Sequence, residues 1–153
     1  MARTFVWSGL DEPRMEIASV ELNGDALSAR GTQIGVAYEL RYELEPGRLQ
    51  AEVVGGPSLD TGLDGADFFD LAYSPLFNSL PVLRDRLLAG GHARDYVMRF
   101  VSVPSLEVVE SKQRYEPLGD RKVRYRSGSF VADLDFDADS FIVRYEGLAE
   151  RVG

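Results

Sequence analysis

"YELRYELEPGRLQAEV", residues 38–53, is the stretch on which the fold turns. Tyr38, Leu40, Tyr42 and Leu44 alternate with Glu39, Arg41 and Glu43. After the turn signal Pro46-Gly47, Leu49, Ala51 and Val53 alternate with Gln50 and Glu52. Successive side chains of an extended chain point to opposite faces. Period two therefore places the apolar residues of each run on one face of a sheet and the charges on the other.

Working outward, the same pattern recurs. Phe130, Ala132, Leu134 and Phe136 alternate with Val131, Asp133, Asp135 and Asp137, and Val123 and Tyr125 alternate with Lys122, Arg124 and Arg126. Asn23-Gly24 is a strong hairpin signal, and Gly55-Gly56-Pro57, Gly90-Gly91, Gly119-Asp120 and Ser127-Gly128 punctuate the rest. In MEIASVEL the apolar phase slips from Met15 and Ile17 to Val20 and Leu22, which predicts a bulge near Ser19. Strands are expected at about 3–8, 15–22, 26–34, 36–44, 48–54, 68–72, 82–88, 94–103, 106–116, 121–126, 129–136 and 141–146. The expectation is one all-β, mostly antiparallel domain spanning 1–153, with one wet and one dry sheet face.

One region resists the pattern. YSPLFNSLPVLR, residues 73–84, has two prolines and a single charge, Arg84. A helical turn is expected over 75–80, with Ser74 as N-cap and Pro75 in the first position. PVLRDRLLAGG, 81–91, reads either as a short helix ending at Gly90 or as a strand turning there.

Composition narrows the function classes. A chain of 153 residues that is 44% hydrophobic supports a core of its own. The lack of cysteine removes disulfides, thiolate nucleophiles and zinc–thiolate sites. A net charge of −8 repels nucleic acid, and the cluster Arg121, Lys122, Arg124, Arg126 has the spacing of a solvent-facing strand. No run approaches the ~18 apolar residues of a membrane span, and no signal peptide is legible at the start, so a cytoplasmic protein is expected.

No motif for catalysis or a cofactor stands out. The single histidine, His92, lies in a turn and supports neither a His/Cys zinc site nor a Ser-His-Asp triad. Asp135, Asp137, Asp139 and Glu146 share the spacing of a calcium loop, but Ser140 replaces the glycine of its sharp turn. Asp60-Thr61-Gly62 matches the aspartic-protease triplet, in which two carboxylates share a proton. A chain with one such triplet would act as a homodimeric aspartic hydrolase; the competing reading is a turn. GTQIGV lacks the third glycine or lysine of a phosphate loop. What remains is an aromatic content of 10%, enough for a core and for the walls of an apolar groove.

Several segments together resemble a known family. WSGLDEP (7–13), LDGADFFDLAYSPLFNSLPVLR (63–84), VPSLEVVESKQRYEPL (103–118) and FVADLDFDADSFIVRYEGLAERV (130–152) are similar, in the same order, to the bacterial putative glycolipid-binding proteins. That family's T-P-F-T-N-T-L-P-I-R-R pattern corresponds to Ser74 through Arg84, its Q-R-Y to Gln113, Arg114 and Tyr115, and its closing segment to Tyr145 through Val152. The resemblance implies a spiral β-roll, a long antiparallel sheet curled into a half-barrel with little or no helix, and a strand rather than a helix over 82–88. It also implies non-enzymatic binding of an amphipathic ligand, a glycolipid or other lipid, on the concave face. Trp7, Phe77, Asn78, Gln113 and Tyr115 are the candidate ligand-binding residues: the aromatic faces would stack on sugar or acyl groups and the amides would orient a polar head. No catalytic residue, metal or cofactor is expected. The alternatives are the Asp60 hydrolase and a structural or interaction protein with no small ligand.

Overall fold

The structure is a computed structural model describing residues 2–153. Six strands open the chain: β1 Arg3–Gly9, β2 Met15–Asn23, β3 Ala26–Ile34, β4 Glu39–Glu45, β5 Arg48–Val53 and β6 Ser58–Gly62. Then come β7 Phe68–Leu71, the helix α1 Pro75–Arg84 and β8 Arg94–Val101. The chain closes with β9 Val108–Gly119, β10 Lys122–Ser127, β11 Phe130–Phe136, β12 Ile142–Tyr145 and β13 Ala149–Arg151. All thirteen strands form one curled, unclosed sheet in the order β6-β5-β4-β3-β2-β1-β13-β12-β11-β10-β9-β8-β7. The alternation seen in the sequence is the alternation of burial. In β4, Leu40, Tyr42 and Leu44 are buried, while Arg41 and Glu43 are exposed.

Neighbouring strands are antiparallel everywhere except between β7 and β8. Parallel strands cannot be joined by a tight turn and need a crossover, commonly helical. Residues 72–93 are that crossover, and they contain α1. The strand expected at 82–88 is therefore absent. Val82, Leu83 and Arg84 finish the helix, and turns follow to Gly90. The helical turn expected over 75–80 is present and runs on to Arg84. Pro75 opens α1, where a missing N–H costs nothing, and Pro81 lies inside it. Pro75 through Val82 are all buried, so this helix is apolar nearly all round because protein surrounds it.

The predicted bulge near Ser19 is also absent. β2 pairs without interruption with β1 and β3. Its inward residues are Glu16, Ala18 and Val20, and Met15 and Ile17 face outward, 43% and 48% exposed. The apolar phase slips because an acid occupies an inward position, not because a residue is inserted.

Glu16 is 2% exposed and ties α1 to the sheet. Its Oε2 accepts from Ser74 Oγ at 2.6 Å and from the Tyr42 hydroxyl at 3.0 Å, and its Oε1 accepts from Gln33 Nε2 at 2.9 Å. Tyr38 in turn donates to Gln33 Oε1 at 2.5 Å. Burial pushes the Glu16 carboxyl upward against the lowering effect of these donors. Ser74 is the N-cap residue, yet its hydroxyl makes no cap bond and instead donates to Glu16. Tyr42 and Tyr38 reach this network by lying over Gly31 and Gly35, where an added Cβ would collide with their rings. Two strands lie outside those expected from the sequence: β6, where the competing reading of the Asp60 triplet is a turn, and β13.

Candidate ligand-binding cleft

The inner face of β8–β12 is not entirely filled. A cleft of about 310 Å³ remains there. Asp70 and Tyr73 flank it from β7 and the turn after it, Asn78 from α1, and Phe100 and Ser102 from the end of β8. Tyr125, Phe130 and Tyr145 close it from β10, β11 and β12. Tyr73 and Phe130, 41% and 49% exposed, form its rim. Tyr73 has φ +65°, unusual for a bulky side chain. It is held there by the Arg14 guanidinium 4.5 Å from its ring centre and by Gln33 Nε2, which donates to the Ala72 carbonyl at 3.2 Å.

A chain of hydrogen bonds ends at this cleft. Asn78 Nδ2 donates to the Tyr115 hydroxyl at 3.1 Å, which donates to Gln113 Oε1 at 3.3 Å, and Gln113 Nε2 donates to Asp70 Oδ2 at 2.8 Å. Asp70 is 6% exposed and forms no ion pair among the described residues. Its Oδ1 accepts from no protein group, and no fully buried side-chain polar atom lacks a partner. Oδ1 therefore faces the cleft. Asn78 Oδ1 and the Tyr145 hydroxyl are equally free of protein partners.

Burial, only partly offset by the Gln113 bond, pushes Asp70 up to about 6. Burial first, and the Asp70 charge with it, raises the hydroxyls of Tyr115 and Tyr125; at Tyr145 the order is burial, Tyr125, then Asp70. An unfolded Asp titrates near 3.8. As pH rises from there to about 6, the unfolded chain releases a proton that the fold retains, so stability falls with rising pH. The slope is about 1.4 kcal/mol per pH unit across that window. Asp70→Asn keeps an acceptor for Gln113 and cannot ionise. It is expected to stabilise the protein by about 1–3 kcal/mol near pH 8 and to have little effect near pH 4. Urea denaturation at the two pH values checks this; an equal effect at both would mean that Asp70 ionises as it does in water.

Of the residues singled out from sequence, Asn78, Gln113 and Tyr115 come together in this one chain. Asn78 bonds a tyrosine hydroxyl through its Nδ2. Trp7 and Phe77, each 1% exposed, do not border the cleft. Trp7 stacks on Phe5, and its Nε1 donates to the Ile142 carbonyl at 2.9 Å. Phe77 meets Tyr42 edge-on at 5.4 Å. Asp70 was missed, and its signal was a lone acid inside the apolar run FFDLA.

The other acidic motifs resolve into ion pairs. Asp60 lies on the exposed face of an edge strand, 2.7 Å from Arg48, whose hydrogen bond lowers its carboxyl. A carboxylate held ionised in this way is unsuited to sharing a proton, so the hydrolase reading gains no support from Asp60. Asp135 pairs with Lys122, Asp139 with Arg3, and Asp137 with Arg151. Three of the four carboxylates in the calcium-loop spacing are thus taken up by cations, and no metal-holding group of His, Cys, Asp or Glu occurs among the described residues. Within the basic cluster, Lys122 and Arg124 face Asp135 and Asp133 across the β10–β11 register. No helix among the described residues is long and apolar enough to cross a membrane.

Fold and cleft together define an all-β protein whose open, curled sheet wraps a helix and keeps one aromatic cavity. Residues 52–151 match the family described as "Putative glycolipid-binding", and the chain belongs to that family. The crystal structure of a DUF1089-family protein from Pseudomonas aeruginosa has a similar fold, with TM-score 0.59 and 23% identity, covering 92% of this chain and 79% of that one. No curated protein matches the chain.

Proposed function

We propose that the protein binds an amphipathic ligand of the glycolipid kind without transforming it, and that the polar head enters the cleft above Asp70. The observation that carries this reading is the cleft's composition. Asp70 Oδ1 and Asn78 Oδ1 lie unpartnered within walls formed by Tyr125, Phe130 and Tyr145. Such a site offers acceptors for hydroxyl or amine hydrogens and ring faces for a sugar, the usual combination of a largely apolar pocket with a few placed polar groups. The family description supports the ligand class. Asn78 would touch the head, while Gln113 and Tyr115 would act as positioning residues behind Asp70. Trp7 and Phe77 would serve by holding the scaffold. Binding fits better than catalysis because the cleft brings Asp70 neither a second acid nor a histidine.

Native mass spectrometry of protein purified from its own host, followed by NMR titration with octyl glucoside below its micelle concentration, tests the proposal. A retained amphipathic species is expected, with perturbed resonances for Tyr125 and Tyr145. Phe130→Ala, which trims an exposed rim, is expected to weaken the glucoside by about ten-fold with little loss of stability. Absence of both a retained species and any perturbation in the cleft would sink the reading.

A further inference from the structure

We infer that the head group seated over Asp70 is cationic: an organic ammonium group, taken between the free carboxylate oxygen and the walls formed by Tyr125, Phe130 and Tyr145. This rests on the reading of the cleft as a head-group site and adds the charge of its occupant. Asp70 is more than nine-tenths buried, has one oxygen open to the cavity, and has no cationic partner. No Lys, Arg or His lines the cavity. The groups facing Asp70 are the amides of Gln113 and Asn78 and the hydroxyls of Tyr115, Tyr125 and Tyr145, none of them positive. A buried carboxylate without a countercharge is costly. A neutral sugar supplies only a hydrogen bond, whereas an ammonium supplies the missing charge as well.

The walls suit the same occupant. The Tyr125 centroid lies 6.0 Å from Phe130 at 68° and 6.2 Å from Tyr145 at 54°. Rings set at such angles form a corner rather than a flat stack. A cation in that corner can meet several ring faces within the ~6 Å over which their quadrupoles attract it. Arg14, which stacks on Tyr73, is paired with Asp11 and does not line the cavity.

The ammonium has two possible sources, a lipid head group or a free small amine. Calorimetric titrations at about pH 8 use choline, its neutral carbon isostere dimethylbutanol, octyltrimethylammonium and octyl glucoside. Choline is expected to bind at least ten-fold tighter than its isostere, and Asp70→Asn is expected to abolish that preference while raising Tm, which shows that the variant is folded. Octyltrimethylammonium tighter than choline points to a lipid, and equal affinity to a free amine; both support the inference. Ammonium affinity is expected to fall about ten-fold at about pH 5, as Asp70 protonates. Equal binding of choline and its isostere, or a preference that survives Asp70→Asn, overturns the inference. If octyl glucoside still binds in that case, the glycolipid reading stands alone; if nothing binds, both readings fail.

Discussion

Phe77→Ala is expected to destabilise the protein by about 3–5 kcal/mol, a fall in Tm of roughly 6–20 °C. The ring is 1% exposed on a helix buried on nearly all sides, so its removal leaves a cavity that proline-framed backbone is poorly able to collapse. It also removes the edge-on partner of Tyr42, one of the three donors that hold Glu16. Phe77 does not border the cleft, so octyl glucoside affinity, measured where the variant remains folded, is expected to change less than three-fold. A stability loss below about 1 kcal/mol together with a large change in affinity would show that Phe77 is a ligand wall instead of a core plug.

Glu16→Ala is the second large effect, expected to cost about 3–5 kcal/mol. Three donors converge on this carboxylate from three elements of the fold: Ser74 before α1, Tyr42 on β4 and Gln33 on β3. Alanine leaves the Ser74 and Tyr42 hydroxyls without an acceptor in a dry site, where each stranded group costs about 1–3 kcal/mol before relaxation, and leaves Gln33 Nε2 with the Ala72 carbonyl alone. Glu16→Gln keeps an oxygen for Ser74 and Tyr42 and loses only the Gln33 bond, so it is expected to cost about 1 kcal/mol. The folded-state shift of Glu16 is upward, so its contribution is greatest at low pH and diminishes as pH rises through the folded value; the gap between wild type and Glu16→Gln should narrow or reverse on the alkaline side. Chemical denaturation of the three proteins at acid and neutral pH checks both statements. Equal losses for Ala and Gln would mean that the carboxylate's charge or its second acceptor oxygen, rather than the one oxygen that Gln retains for Ser74 and Tyr42, carries the stability.

The sheet was legible wherever one face met water, because alternation is then visible in the chain. Residues 38–53, 122–127 and 130–136 belong to this kind. Legibility failed where both faces are buried or where a polar residue points inward. The segment 75–82 is enclosed by protein, so no exposed side revealed a helical period there, and a strand was expected at 82–88. At Glu16 an inward acid imitated a bulge. β6 was hidden by its likeness to a catalytic triplet, although its outward Asp60 accepts from both Arg48 and Gln50 on β5.

The candidate site divides along the same line. Motif resemblance brought forward Asn78, Gln113 and Tyr115; Asn78 lies 37 positions from Tyr115 and meets it only in space. The same resemblance brought forward Trp7 and Phe77, which the fold uses for packing. By itself the sequence determined the class of fold, the family and the facing of the regularly alternating strands β4, β5, β10 and β11, because these depend on local period and on the order of motifs. The tertiary structure decided that α1 fills the sheet's interior and that Asp70 is left with one oxygen facing an aromatic cleft. Those facts depend on which groups find partners across long stretches of chain, and hydrogen bonding and desolvation in a folded interior have no counterpart in a linear pattern.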